Sequence, residues 1–247
     1  MKPYTNSFYR ELNETSLPSA ERIVPLVVEL LAPRSVIDLG CGDGSWLSIF
    51  RRHGATDLLG VDGGWLDPQH LKISTDEFRV ARLDGPLEFD RQFDIAISLE
   101  VAEHLPPSKA AGFVACLTTL APVVMFAAAI PAQGGVNHQN EQWPDYWEQH
   151  FANHGYMPID VIRWQVWNDP AVAWWYSQNV LLYAGKQTLA KNPLLSAARQ
   201  AVPGSARAIV HPRLHQQLMR RSQPGFKTWL NMAPGALARS LRKLVGT

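Results

Sequence analysis

Val36-Ile37-Asp38-Leu39-Gly40-Cys41-Gly42-Asp43-Gly44-Ser45-Trp46-Leu47 is the stretch on which the fold turns. An apolar run carrying one acidic residue leads into glycines at 40, 42 and 44, and an amphipathic segment begins at Trp46. The pattern predicts a buried parallel strand, a tight turn and the start of a helix. Glycine lets the backbone take φ > 0 and pass close to a ligand. The spacing is not the dinucleotide G-x-G-x-x-G, whose third glycine serves helix–strand packing.

Working outward, Leu58–Val61 predicts a second strand ending at Asp62, 24 residues beyond Asp38. Phe78–Leu83 predicts a third strand followed by Asp84-Gly85, Phe93–Ser98 a fourth followed by Leu99 and Glu100, and Val123–Ile130 a fifth, almost wholly apolar. Helices are expected over Trp46–His53, from Pro106-Pro107-Ser108 to about Leu120, and over 144–154. Upstream, Ile23, Leu26, Val27 and Leu30 form an apolar stripe, with Ser16 or Ser19 as its cap and Pro33 as its stop. Strand–helix–strand repetition implies a parallel sheet that binds its ligand at the carboxyl ends of the strands. Asp38, Asp62, Asp84 and Glu100 all fall at such ends. Met157–Val166 and Asn179–Ala184 complete seven strands with an antiparallel edge pair.

The motif hydrophobic-x-D-x-G-x-G-x-G, matched by Asp38, Gly40, Gly42 and Gly44, resembles motif I of the class I S-adenosylmethionine methyltransferases. The resemblance implies an α/β fold with a doubly wound, seven-stranded, mostly parallel sheet, the Rossmann-like methyltransferase fold. It implies S-adenosylmethionine as cofactor, with Asp38, Gly40, Cys41, Gly42, Gly44, Asp62, Asp84, Gly85 and Leu99 around it. Asp62 would accept hydrogen bonds from the ribose hydroxyls, with a strand-end turn before Gly63-Gly64 as the plainer reading. Asp84 would meet the adenine amino group, with an Asp-Gly turn explaining the pair almost as well.

Glu100, Glu103 and His104 have the spacing i, i+3, i+4, which on one helical turn gives a shared face. Two carboxylates and an imidazole there repel unless protonated or bridged by a cation, and their donor atoms suit Mg²⁺, Mn²⁺ or Zn²⁺. His138, in the loop after the fifth strand, is the expected fourth ligand. The E-x-x-E-H turn resembles that of metal-dependent small-RNA 2′-O-methyltransferases and of ubiquinone-biosynthesis O-methyltransferases, over about residues 36–141. It implies a divalent metal, Mg²⁺ or Mn²⁺, held by Glu100, Glu103, His104 and His138. His138, or His104 if it is not a ligand, would otherwise act as general base, so Glu103, His104 and His138 are the expected catalytic residues. An acidic turn with a merely packed histidine is the alternative.

The chain has 247 residues, 46% hydrophobic and 18% charged, enough for a substantial core. Two cysteines make no disulfide framework, and residues 1–12 contain no apolar run; both point to a cytoplasmic setting without a secretory leader. Charge divides the chain. Residues 186–247 hold eleven Lys or Arg and no Asp or Glu, so the preceding residues carry a balance of −10. We therefore expect a lead-in over 1–19 with Tyr4, Phe8 and Tyr9 as anchors, a catalytic domain over 20–185, and a basic, mainly helical extension over 186–247.

The acceptor is less legible. No Asn-Pro-Pro-Tyr-type stretch follows the fourth strand, which argues against methylation of base or glutamine nitrogens. The Trp- and amide-rich stretches 139–147 and 164–175 tilt the reading toward a hydroxyl of a sugar or other glycosylated small molecule. The basic extension leaves room for nucleic acid, with RNA 2′-O-methylation as runner-up, for peripheral contact with an anionic membrane, and for docking or homo-oligomer contacts. A S-adenosylmethionine-binding partner protein without catalysis is the reading from another class.

Overall fold

A computed structural model describes residues 6–64, 66–201 and 208–222, with residues 6–13 as backbone only. The lead-in residue Tyr4 and the basic residues Arg207, Lys227, Arg239, Arg242 and Lys243 lie outside the described residues, and so do the side chains of Phe8 and Tyr9. The chain divides into two compact units, one running to Ile209 and one starting at Val210.

The first unit opens with helix α1 (Asn6–Leu31), then strand β1 (Ser35–Leu39), α2 (Ser45–Arg52), β2 (Asp57–Asp62) and a short edge strand β3 (Phe78–Val80). It continues with β4 (Ile95–Leu99), α3 (Ala110–Leu120), β5 (Val123–Ala127), α4 (Pro144–Ala152) and β6 (Tyr156–Ile159). Short helices α5 (Arg163–Val166) and α6 (Trp174–Asn179) precede β7 (Leu181–Gly185), and α7 (Lys186–Lys191) and α8 (Pro193–Ala201) follow it. The second unit's described helix is α9 (Pro212–Ser222).

The seven strands lie in the order β3-β2-β1-β4-β5-β7-β6. The first five pair in parallel, while β7 runs antiparallel to both β5 and β6. Alternation along each strand feeds two cores. Val36, Leu58, Ile95, Ile97, Val123, Met125 and Leu182 face one side, under α1 and α2. Ile37, Leu39, Val61, Ala96, Val124, Phe126 and Tyr183 face the other, against α3 and α4. Residues buried on both faces read as continuous apolar runs, which is why the central strands are so plain in sequence.

Strand order reverses between β1 and β4, and in open α/β sheets ligands bind outside the carboxyl ends of the strands at such a switch point. Register places the 160–180 connection at the same edge: Ile159 pairs with Leu182, and Phe126, near the carboxyl end of β5, pairs with Leu181.

Three expectations need correction. Helix α1 begins well before the predicted cap. Ser16 and Ser19 lie inside it, buried, and tie it sideways: Ser16 Oγ sits 3.0 Å from the Tyr176 hydroxyl, and Ser19 Oγ accepts the Ala173 amide at 3.0 Å. The sixth strand ends at Ile159. Arg163, fully buried, bends back to form a two-pronged ion pair with Asp160 and donates to the Gln178 carbonyl at 3.1 Å, so Arg163–Val166 turns helical. The third strand stops at Val80, which is 61% exposed, because an edge strand with one neighbour has little to bury. Leu189 and Leu195, at the start of the basic stretch, belong to the same core cluster as Ile23 and Val27.

Candidate active site

The glycine turn does what its sequence implies. Gly40, Gly42 and Gly44 all have positive φ, of 92°, 53° and 79°. A Cβ on Gly40 would stand 2.3 Å from Val101 Cγ2, so only glycine lets the ends of β1 and β4 close on each other. Asp43 braces the turn: its Oδ1 accepts the Ser45 amide at 3.0 Å and the Ser45 hydroxyl at 2.6 Å, and Lys72 pairs with its Oδ2 at 3.3 Å.

Asp38 and Asp62 lie together beneath this turn, both buried. Asp62 Oδ2 accepts the Gly42 amide at 2.8 Å and its Oδ1 the Gly63 amide at 2.6 Å. Each oxygen keeps a second lone pair for a hydroxyl. Burial raises both carboxyl pKa values; for Asp38 the Asp62 charge adds to the effect, and for Asp62 the two amides oppose it. Cys41 is a core residue whose thiol is pushed up by burial and then by the carboxylates of Asp38 and Asp62. Leu99 ends β4 in the same cluster as Cys41 and Trp46.

Asp84 and Gly85 follow β3 at the edge of the sheet. Arg82 grips the Asp84 carboxylate with Nε at 3.0 Å and Nη2 at 2.6 Å. Both residues line an open groove of about 800 Å³ between the 83–92 loop and α3, and none of Asp38, Asp62, Glu103 and His138 lines it.

After β4 the chain does not form the single helical turn expected. Glu100 takes the left-handed conformation, φ 57°, and a 3-10 turn covers Ala102–His104. Glu100, Glu103 and His104 therefore do not share one helical face, although the Glu100 and Glu103 carboxyls still interact. Its Oε1 accepts Asn179 Nδ2 at 2.9 Å and its Oε2 accepts Gln133 Nε2 at 2.7 Å. Glu103 is fully buried, and its carboxyl oxygens make no hydrogen bond of good geometry, although the Glu103 and Ala129 amides and the Glu100 carboxyl lie near enough to interact with it. Burial pushes the Glu100 carboxyl up to about 7, and Glu103 well up as well, with the Glu100 charge as the second cause.

Among the described residues, one group has the makings of a cation site: Glu103, His104 and His138 offer ligand atoms within 4.8 Å of one another. The two imidazoles meet edge to face, 4.8 Å between centroids. Burial, then the neighbouring His138, lowers the His104 pKa, which favours the neutral ring a metal or a proton requires. Glu141 Oε1 lies 2.9 Å from His138 Nδ1, and its carboxylate also accepts the Ala132 and Gly134 amides, so the loop and the ring are fixed together. A Cβ on Gly135 would come within 2.1 Å of His138 Nε2, so that glycine is the seat of the imidazole.

Glu141, Gly135, Gln133 and Asn179 were not singled out by sequence reasoning. The His138-x-x-Glu141 spacing was a readable cue; the Asn179–Glu100 contact spans 79 positions and was not.

The family model described as a methyltransferase domain matches residues 13–169, more than half of the chain. The chain belongs to the class I S-adenosylmethionine-dependent methyltransferase family. Solved structures similar to this methyltransferase include a sugar N-methyltransferase from a Streptoalloteichus species, with a TM-score of 0.57 and 15% identity over 75% of this chain and 94% of that one. An O-methyltransferase family protein from Burkholderia thailandensis gives 0.53 and 13% over 74% of this chain, which spans only 60% of that protein. Magnesium protoporphyrin IX methyltransferase from Synechocystis, solved with bound S-adenosylhomocysteine, gives 0.50 and 15% over 75% and 90%. At such identities the likeness is one of fold. No curated protein sequence matches the methyltransferase. No helix among the described residues is long and apolar enough to cross a membrane.

Proposed function

We propose that this methyltransferase carries a methyl group from S-adenosylmethionine to a hydroxyl of a sugar-bearing small molecule, assisted by a divalent cation, Mg²⁺ or Mn²⁺. The observation that carries the reading is Glu103. A fully buried carboxyl without well-formed hydrogen bonds is costly, up to about 1–3 kcal/mol for a neutral group and more for a charged one. A cation shared with His104 and His138 would offset that cost, and the mixed carboxylate–imidazole donor set fits Mn²⁺ better than Mg²⁺. When bound, such an ion lowers the pKa of a coordinated hydroxyl.

The remaining roles belong to the chain. Glu141 orients His138 through Nδ1, leaving Nε2 as the working nitrogen. Gln133 and Asn179 hold Glu100 beside Glu103, as positioning residues rather than ligands. Asp62 and the Gly40–Gly44 amides would receive the cofactor's ribose and methionine portions at the β1/β4 crevice. Much of the acceleration would come from fixing the acceptor oxygen in line with the sulfonium methyl. Asp84 and Gly85 would reach adenine after Arg82 releases the carboxylate.

The sugar reading rests on tryptophans at the catalytic edge of the sheet. Trp164 is 51% exposed and lies 5.6 Å from Trp167, ring to ring; Trp143 is also exposed. Flat exposed rings suit the apolar faces of sugars. The test is methyl transfer from labelled S-adenosylmethionine to panels of sugars, phenols and RNA, with EDTA and with Mn²⁺ restored. We expect transfer to a sugar hydroxyl, lost in EDTA and recovered with Mn²⁺. Full activity in excess EDTA would refute the metal, transfer to RNA would move the acceptor class, and binding without transfer would favour a non-catalytic partner.

A further inference from the structure

The β3–β4 crossover lacks a helix. β1 reaches β2 through α2 and β4 reaches β5 through α3, but residues 81–94 form none. Parallel sheets are ordinarily covered on both faces by such helices. Here the crossover leaves the open groove of about 800 Å³, lined by Leu83, Leu87 and Phe89 on the loop side and by Phe113, Cys116 and Leu120 on the α3 side.

Helix α3 carries no charged residue from Ala110 to Leu120. Its outer residues Ala111, Gly112, Ala115, Cys116 and Thr119 are exposed or half-buried and fall within an arc of about 140°. The Thr118 and Thr119 hydroxyls are already bonded to the Val114 and Ala115 carbonyls, at 3.0 and 2.9 Å. Such a face can leave water without stranding a polar group. A helix that is uncharged all round is one that expects to be packed on every side.

Charge divides along the groove. At one end Lys109 opens α3 near Asp84, whose carboxylate Arg82 already grips, so that end is positive. At the other, Gln92 Nε2 donates to the Thr119 carbonyl at 3.0 Å and the Phe93 amide to the Leu120 carbonyl at 2.8 Å. These bonds bring the stretch bearing Glu88 and Asp90 to the carboxyl end of α3. Arg91 there is paired with Asp57, so that end is negative. None of Lys109, Glu88 and Asp90 takes part in a salt bridge among the described residues. A two-fold axis across the groove would run a second α3 antiparallel to the first and set Lys109 of each copy against the acidic end of the other. A partner of uniform charge would match one end only.

We propose that two copies of the methyltransferase associate through this groove, α3 packing antiparallel on α3. The inference depends on neither the metal nor the acceptor.

Sedimentation velocity of the full chain over a series of concentrations tests it. We expect the mass to climb from 27.6 kDa toward twice that value, with the midpoint in the micromolar range of a small interface, and the association to weaken as salt is added. A side chain at Gly112 meets nothing within 4 Å in the single chain. Gly112→Glu should therefore leave the melting temperature of dilute protein unchanged while weakening association at least about 100-fold, because it buries an unpaired charge in the contact. Lys109→Glu and Asp90→Lys should each weaken it about tenfold, and the double variant, which restores opposite signs, should recover most of that loss. Monomer at every concentration would overturn the proposal. So would association that survives Gly112→Glu, or a double variant no better than the single ones.

Discussion

Replacing Gly135 with alanine asks directly whether His138 holds a cation. The new methyl would stand 2.1 Å from Nε2, 2.4 Å from Cε1 and 2.8 Å from Cδ2 of the imidazole. Ordinary contact between such atoms needs roughly 3.5 Å, so the ring has to retreat by about 1.4 Å. Its bond to Glu141, 2.9 Å long, tolerates a few tenths of an ångström before it is lost. Metal ligation is stricter, with distances held within about 0.2 Å. The backbone itself does not resist, because Gly135 lacks the positive φ found at Gly134. Loss of an oriented ligand should weaken Mn²⁺ binding by about 10–100-fold, or about 1.4–2.7 kcal/mol. Titration of Mn²⁺ followed by electron paramagnetic resonance, with S-adenosylhomocysteine present, reads this out. Gly112→Ala, in α3 with nothing within 4 Å of the new methyl, is the control and should leave Mn²⁺ affinity unchanged. Wild-type Mn²⁺ affinity in Gly135→Ala would refute the seating of His138 as the reason for the glycine.

Other outcomes follow from the same geometry. Glu103→Gln and His138→Ala should each lower methyl transfer by at least about 100-fold while S-adenosylhomocysteine affinity, by calorimetry, stays within about threefold. Asp62→Ala removes the acceptor for the Gly42 and Gly63 amides and should cost about 1–3 kcal/mol in stability and about tenfold or more in S-adenosylhomocysteine affinity. Burial raises the Glu100 carboxyl from 4.5 to about 7 and pushes the Glu103 carboxyl well up too. A carboxyl with a raised folded-state pKa favours the protonated form, so its stabilising contribution is complete below about pH 4.5 and is lost as pH climbs through about 7. Thermal melting of the metal-free protein should therefore fall across that window, and Glu103→Gln should flatten the fall; a level profile in the parent protein would contradict the buried acid pair.

The central sheet was legible because its residues answer to local rules. Asp38 and the three glycines fix one strand, one turn and one helix start, and the buried runs Ile95–Leu99 and Val123–Ala127 have no competing helical period. What stayed hidden depends on distant partners. The spacing of Glu100, Glu103 and His104 suggested one helical face, yet Glu100 takes a left-handed turn and is held by Gln133 and Asn179 next to Glu103, so the group that could share a cation is Glu103, His104 and His138 instead. The stretch Met157–Val166 looks like a strand throughout, but Arg163 finds Asp160 and the Gln178 carbonyl and the chain coils instead. The candidate site was half visible for the same reason. Glu103, His104 and His138 carry recognisable chemistry, while Gly135 and Glu141 matter only through where they place an imidazole.

Calorimetric titration of the purified full chain with S-adenosylhomocysteine goes to the root of this account. A single site with micromolar affinity, weakened in Asp62→Ala and retained in His138→Ala, is the predicted result. Absence of any binding heat at millimolar ligand, from protein shown by melting to be folded, would contradict it.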